Sequence, residues 1–214
     1  MTQIFIFGSS NSYGVGGTKG GWADLLKQQL HTLMYGPNGI GEKHQLYNFG
    51  KPGAKAQFVK NNFQQQLDLY RNKGQKAVAV LSVGGNNAKA ETTPDNYVST
   101  PEEYTNIMQD LVVALKASVD ALYVLGYRPY DESKTSPKSN PLTGGQSHFR
   151  NDRRAQFQAI LEKICAEQNV EFIGLTVSDE VWIRDYLFDD GLHPNDAGYQ
   201  MICDDIFKHI KEHL

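Results

Sequence analysis

Short apolar runs alternate with longer segments of helical periodicity along this chain. Five runs are rich in Ile, Val, Leu, Phe and Tyr, and they occupy residues 3–7, 44–47, 77–83, 121–126 and 170–175. Between these runs, apolar residues recur every three or four positions, which is typical of helices with one buried face. Such segments begin near Trp22, span residues 56–70, begin again at Pro101, and surround Phe157 and Ile202. Strands that alternate with helices favour a parallel sheet covered on both sides.

The pattern therefore predicts an α/β fold in three layers, α/β/α, with a five-stranded parallel sheet. We expect one domain over residues 1–214, because this length suits a single core. A flavodoxin-like strand order, 2-1-3-4-5, would place strand 1 between strands 2 and 3. In open sheets of this kind, ligands bind beyond the carboxyl ends of the strands, where the strand order reverses.

Polar and glycine-rich motifs follow the first three predicted strands directly. Gly8-Ser9-Ser10 follows the first strand, Asn-Phe-Gly-Lys-Pro-Gly (residues 48–53) follows the second, and Gly-Gly-Asn-Asn (residues 84–87) follows the third. Because parallel strands end at the same edge of a sheet, we expect Ser10, Gly53 and Asn86 to lie close together. A backbone N–H or a side-chain amide at such positions can stabilise the oxyanion that forms in acyl transfer.

A fourth motif, Asp190-Gly191-Leu192-His193-Pro194-Asn195, lies just ahead of the last predicted helix. A serine hydroxyl is a poor nucleophile at neutral pH and needs a base, usually a histidine that a carboxylate holds in one tautomer. The motif supplies both groups on one loop. Ser10, His193 and Asp190 are thus a candidate catalytic triad.

Four motifs in this order resemble the four conserved blocks of the SGNH (GDSL-type) hydrolases over nearly the whole chain. The resemblance implies a serine esterase of the three-layer SGNH fold, with Ser10 as nucleophile, His193 as base and Asp190 as the residue that orients it. It also implies an oxyanion hole built from the Ser10 N–H, Gly53 and Asn86. Two positions depart from the family pattern: Ser9 and Asn87 stand where the family usually has aspartates.

Each motif also has a simpler structural interpretation. The loop Gly-Ser-Ser-Asn-Ser-Tyr-Gly (residues 8–14) would suit a phosphate or cofactor site in a flavodoxin-like binding module, since backbone N–H groups at a helix start bind anions. That interpretation leaves Asp190, His193 and Asn86 without a role. Asp190-Gly191 would also fit an ordinary turn, and His193-Pro194 an ordinary helix start. A third hypothesis, suggested by Ser9 and Asn87, is a degenerate SGNH protein that binds acyl or glycan ligands without turnover.

Two polar segments, residues 88–100 and 127–149, lack a clear secondary-structure pattern. The second is mildly basic, and its polar and charged residues include Arg128, Tyr130, Lys134, Lys138 and His148. It is either a solvated surface loop or a rim of the substrate pocket. Leu142 and Phe149 are nearly its only large apolar groups. Without an apolar trough for a long chain, we expect small acyl esters, acetyl to butyryl, as substrates, with an acetylated sugar as one candidate.

Composition excludes several other classes of protein. The formal net charge is −3 and the basic residues are dispersed, so no nucleic-acid partner is expected. No apolar run reaches membrane-spanning length, and the residues imply no metal or organic cofactor. Cys165 and Cys203 lie in helical patterns and are expected to be buried apolar residues. The first strand follows Met1 directly, leaving no room for a signal peptide, which predicts a cytoplasmic location.

Overall fold

The computed structural model describes residues 1–39, 41–139 and 144–214. A parallel sheet of five strands forms its centre, and the strands are β1 (Thr2–Gly8), β2 (Gln45–Asn48), β3 (Lys76–Ser82), β5 (Ala121–Leu125) and β8 (Glu171–Ile173). Their order across the sheet is β2-β1-β3-β5-β8, which confirms the predicted order 2-1-3-4-5 of the five apolar runs. β1 pairs with β2 on one side and with β3 on the other.

Helices cover both faces of this sheet. One face carries α2 (Trp22–Tyr35), α8 (Asp179–Asp185) and α9 (Asp196–Ile210), and the other carries α3 (Ala56–Tyr70), α5 (Pro101–Ser118) and α7 (Asn151–Glu167). The chain ends in a 3₁₀ turn, Lys211–His213. The sequence pattern predicted each of these helices except α8, which is only seven residues long.

Successive side chains of the central strands point to opposite faces of the sheet, so each strand packs against both helical layers. Phe5 and Phe7 pack with the α3, α5 and α7 side, whereas Ile4 and Ile6 pack with the α2 and α9 side, and all four are buried. Since successive strand residues face opposite sides, a run without polar residues is needed when both faces are covered. Cys165 and Cys203 are free and buried in these layers, as the sequence predicts.

The two polar segments are structured, so the expectation that they lack regular structure is wrong. They contain α6 (Glu132–Thr135) and a small antiparallel sheet in the order β4 (Ala90–Glu91), β7 (Gln146–His148), β6 (Lys138–Ser139). The strands are two or three residues long, too short for a period to be visible in sequence. Leu142, one of the two large apolar residues of this segment, lies outside the described residues.

Two further helices of one turn each, α1 (Ser10–Tyr13) and α4 (Gly85–Ala88), begin directly after β1 and β3. They carry the motifs that follow these strands. Among the helices of the described ranges, none combines the length and the apolar character that crossing a membrane requires.

Candidate active site

Ser10 is the first residue of α1, immediately beyond the end of β1. The tight turn between them depends on Gly8, because a Cβ there would lie 2.1 Å from Ser12 Oγ and 2.9 Å from the Ser82 carbonyl oxygen. α1 then ends at Gly14, whose φ of +99° favours glycine. The turn leaves Ser10 half-buried at the edge of the sheet, on the wall of a cleft.

The loop that precedes α9 holds Asp190 and His193 in a fixed relation. Asp190 Oδ1 accepts hydrogen bonds from the backbone N–H groups of Leu192 and His193, both at 2.9 Å, and Gly191 has a φ of +70°. Asn195 then caps α9 by accepting a hydrogen bond from the Gly198 N–H at 2.9 Å. The loop is thus both an ordinary turn and a helix start. Pro194 precedes the cap and does not occupy the first helical position that proline usually prefers.

His193 links Asp190 to Ser10 in a continuous hydrogen-bonded chain. Its Nδ1 lies 2.6 Å from Asp190 Oδ2, and its Nε2 lies 2.9 Å from Ser10 Oγ. Because an ionised carboxylate only accepts, Nδ1 carries the ring proton and donates a hydrogen bond to Asp190, which leaves Nε2 to accept a hydrogen bond from the Ser10 hydroxyl. The structure therefore brings together all three predicted triad residues in the arrangement that nucleophile activation requires.

Asp190 stays ionised because its hydrogen bonds outweigh its burial. Burial raises the pKa of this carboxyl, but the donors from the His193 ring and from the backbone of His193 and Leu192 hold the pKa well below its usual range. An Asp190 that is ionised at neutral pH can stabilise an imidazolium on His193.

The two neighbouring serines are placed differently. Ser12 is fully buried under Gly8. Ser9 lines a separate small cavity with Arg128 and Tyr130. The hydrogen bond of His193 Nε2 is to Ser10. Of the three serines, Ser10 is the one paired with a base.

Gly53 and Asn86 lie in the same cleft as Ser10, as the strand order predicts. Gly53 has a φ of +76°, a conformation that side-chain-bearing residues rarely adopt. The Asn86 amide donates one hydrogen bond to the Ala54 carbonyl oxygen at 3.0 Å, which ties the side chain to the residue after Gly53 and uses one of its two N–H donors. Among the described residues, neither the Ser10 nor the Gly53 N–H has a hydrogen-bond acceptor. Three candidate donors therefore come from residues that line the same cleft.

Asn87, one of the two departures from the family pattern, is a buried residue that links two segments of the fold. It is 2% exposed, its Oδ1 accepts a hydrogen bond from the Ala56 N–H at 2.8 Å, and its Nδ2 donates to Ser99 Oγ at 3.1 Å. It therefore fastens the start of α3 to the segment that precedes α5. The amide satisfies both contacts at once, since its oxygen accepts from Ala56 and its nitrogen donates to Ser99.

A cavity of about 260 Å³ opens beside the Ser10 hydroxyl. Besides Ser10, Gly53, Asn86 and His193, the residues that line it are Val15, Pro52, Lys89, Lys138, Ser139, Ser147, Phe149 and Leu192. Several of these residues come from the small antiparallel sheet. Of the two alternatives for residues 127–149, the rim of a pocket therefore describes the later part of the segment. Its first part is buried: Arg128 is 6% exposed, and burial lowers the pKa of its guanidinium to about 10.

Of the residues that line the cleft, Lys138 is the hardest to recognise from the sequence. Its Nζ donates a hydrogen bond to the Asp190 carbonyl oxygen at 2.8 Å and lies 3.4 Å from Asp190 Oδ2. The sequence shows Lys138 only as one of several basic residues in a polar segment. No local motif marks it, because its contact depends on the pairing of the small sheet.

The chain belongs to the GDSL-like lipase/acylhydrolase family, whose sequence model matches residues 6–201. It is accordingly a carboxylic ester hydrolase. Comparison with curated proteins gives no match.

Three solved structures illustrate the similarity of the fold. A lipase/acylhydrolase from Enterococcus faecalis has 18% sequence identity and a TM-score of 0.73, over 100% of this chain and 97% of that one. The psychrotrophic esterase EstA from Pseudoalteromonas sp. has 16% identity and a TM-score of 0.69, over 98% and 97%. A variant of Axe2, an acetyl xylan esterase from Geobacillus stearothermophilus, has 18% identity and a TM-score of 0.68, over 98% and 94%. At these identities the similarity shows a common fold.

Proposed function

We propose that this protein is a serine esterase that hydrolyses small acyl esters through an acyl-enzyme on Ser10. The observation that supports this most strongly is the chain of hydrogen bonds from Asp190 through His193 to Ser10, at 2.6 and 2.9 Å. Three groups from opposite ends of the sequence meet in the order and tautomer that acyl transfer needs.

In the proposed reaction, Ser10 Oγ attacks the ester carbonyl while His193 Nε2 takes the hydroxyl proton. The carbonyl oxygen becomes an oxyanion, held by the N–H groups of Ser10 and Gly53 and by the amide of Asn86. The intermediate collapses, His193 gives its proton to the leaving alcohol, and the acyl group remains bonded to Ser10. Water then attacks this ester, again with His193 as base, and releases the carboxylic acid.

The proposed acyl range, acetyl to butyryl, rests on the size and lining of the cavity. About 260 Å³ is small for a ligand pocket, and two of its lining side chains, Lys89 and Lys138, are charged. Each methylene of a longer chain that stays in water forgoes about 0.8 kcal/mol that burial would supply. We propose a sugar hydroxyl as the first alcohol half to test, and hence an acetylated sugar as the substrate, because one structurally similar protein is an acetyl xylan esterase.

Two alternatives explain less of the site. A phosphate- or cofactor-binding module would leave the hydrogen bonds of His193 to Asp190 and Ser10 without a purpose. A degenerate SGNH protein would rest on Ser9 and Asn87. However, Asn87 is engaged in packing α3 against the segment before α5, and its replacement of an aspartate does not touch the triad.

The test is kcat/KM for a series of para-nitrophenyl esters from acetate to octanoate, below micellar concentrations, together with acetylated xylo-oligosaccharides. We expect values that peak between acetate and butyrate, and S10A as the matched control should be inert throughout. A steady rise through octanoate would contradict the acyl range. Binding of these ligands without any turnover would support the degenerate alternative.

A further inference from the structure

Asp190 has a second charged neighbour besides His193. Lys138 Nζ lies 3.4 Å from Asp190 Oδ2, the same oxygen that accepts from His193 Nδ1, and it donates to the Asp190 carbonyl oxygen at 2.8 Å. The side chains of Lys138 and Asp190 are only 24% and 21% exposed. Solvent and salt therefore screen this pair less than they would screen a surface ion pair.

The small antiparallel sheet holds Lys138 in this position. Lys138 pairs with Ser147 in β7, and Ser147 in turn pairs with Glu91 in β4, which follows the Asn86 motif closely. On the other side, the Asp131 N–H donates to the Gly191 carbonyl oxygen at 2.9 Å, next to Asp190. The segment that leads to β6 is thus hydrogen-bonded to the loop that carries Asp190 and His193.

The other polar and charged side chains around Asp190 have partners of their own or face solvent. Lys134 pairs with Asp131 at 3.6 Å, and Lys89, across the cleft, pairs with Glu91 at 2.9 Å. From α9, the Tyr199 hydroxyl donates to the Val15 carbonyl oxygen at 2.6 Å. Asp189, the next residue in the chain, is exposed. Apart from His193, Lys138 is the one cation within the described residues that forms an ion pair with Asp190.

We propose that Lys138 is a positioning residue for the Asp190–His193 pair. By bonding the Asp190 backbone it fixes the carboxylate toward the imidazole, and by its charge it offsets part of the carboxylate's attraction for a proton on His193. A nearby cation disfavours a second positive charge beside the same carboxylate, so we expect the acidic limb of kcat/KM to depend on the charge at position 138. The inference rests on the proposed esterase function.

The experiment uses K138C in the full chain, before and after alkylation with 2-bromoethylamine, which restores an ammonium group at nearly the same distance. Cys165 and Cys203 do not interfere, because both are buried and burial raises the pKa of each thiol to about 12. Iodoacetamide, which adds a neutral group, is the chemical control. K134C, treated in the same way, is the matched variant, because Lys134 lies nearby on α6 without contacting Asp190.

We expect K138C to lower kcat roughly tenfold with little change in KM, and to move the acidic limb of kcat/KM upward by about half a pH unit or more. Aminoethylation should restore both quantities, and iodoacetamide should restore neither. If wild type is active but K138C matches K134C in kcat and pH profile, the inference is wrong and the esterase function stands. A further outcome is that K138C loses activity without moving the acidic limb of kcat/KM, and that aminoethylation does not restore the activity. That result would show that Lys138 has a structural role alone, and it would overturn the proposal.

If wild type hydrolyses no ester, the proposed function fails instead. Should K138C not fold by circular dichroism, K138R and K138Q provide the same comparison of a charged with a neutral side chain. K138R should then keep the wild-type acidic limb, and equal profiles for the two variants would overturn the proposal.

Discussion

Two regions frame the active site, and they are built in opposite ways. The loop from Asp190 to Asn195 makes its key hydrogen bonds within a few residues, from Asp190 to Leu192 and His193 and from Asn195 to Gly198. The small sheet opposite depends on pairs that are distant in sequence, such as Ala90 with His148. The first region positions the proposed base, His193, and its carboxylate partner, Asp190, and the second supplies part of the wall of the pocket. The geometry of the Asp190–His193 pair thus rests on local hydrogen bonds, whereas the shape of the pocket rests on long-range pairing.

The largest effects should come from the compact loop. H193A removes the base and should lower kcat on the order of a millionfold, as S10A should, because the triad residues act as a unit. D190A removes only the orienting carboxylate and should cost roughly ten-thousandfold. Steady-state kinetics on the three variants and on D189A measures this order.

D189A is the matched control, because Asp189 is the exposed neighbour of Asp190 and should change kcat by no more than a few fold. If D189A were more damaging than D190A, the assignment of the orienting acid would be wrong.

A smaller effect should separate two adjacent asparagines at the end of β3. N86A removes an oxyanion donor and should lower kcat about a hundredfold to a thousandfold while the melting temperature changes little. N87A removes a buried amide with two hydrogen bonds, so it should lower stability by about 1–3 kcal/mol with a much smaller loss of kcat. Thermal melts and kinetics on the same preparations give both readouts. The reverse pattern would mean that Asn87, and not Asn86, faces the reacting oxygen.

The smallest effect concerns the stability of the loop as a function of pH. The pKa of Asp190 is lowered in the folded state, so the ionised carboxylate stabilises the fold above the ordinary aspartate pKa of about 4, and this contribution is lost as pH falls toward the lower folded-state pKa. The difference in melting temperature between wild type and D190N should therefore be constant near neutral pH and narrow below about pH 4. A gap that widened under acid would contradict the charge assignment. D189N serves as the control.

The contrast between the two regions also explains what could be predicted from the sequence. The five strands, their order, and the residues Ser10, Gly53, Asn86, Asp190 and His193 follow from apolar periodicity and from short motifs that carry their own turns and caps. The small sheet could not be predicted, because strands of two or three residues have no readable period and pair across long stretches of chain. The contact of Lys138 with Asp190 depends on that sheet and was hidden for the same reason.

Ser10 is the one serine that we expect to be activated as a nucleophile, and a fluorophosphonate probe tests this assignment directly. The probe bonds covalently to a serine whose proton a base can remove, and tryptic mass spectrometry identifies the modified residue. Modification should be confined to Ser10 in wild type and should be absent in S10A and H193A. S9A should be modified like wild type, since Ser9 lines a separate cavity. A label on Ser9 or Ser12 with Ser10 unmodified would contradict the account.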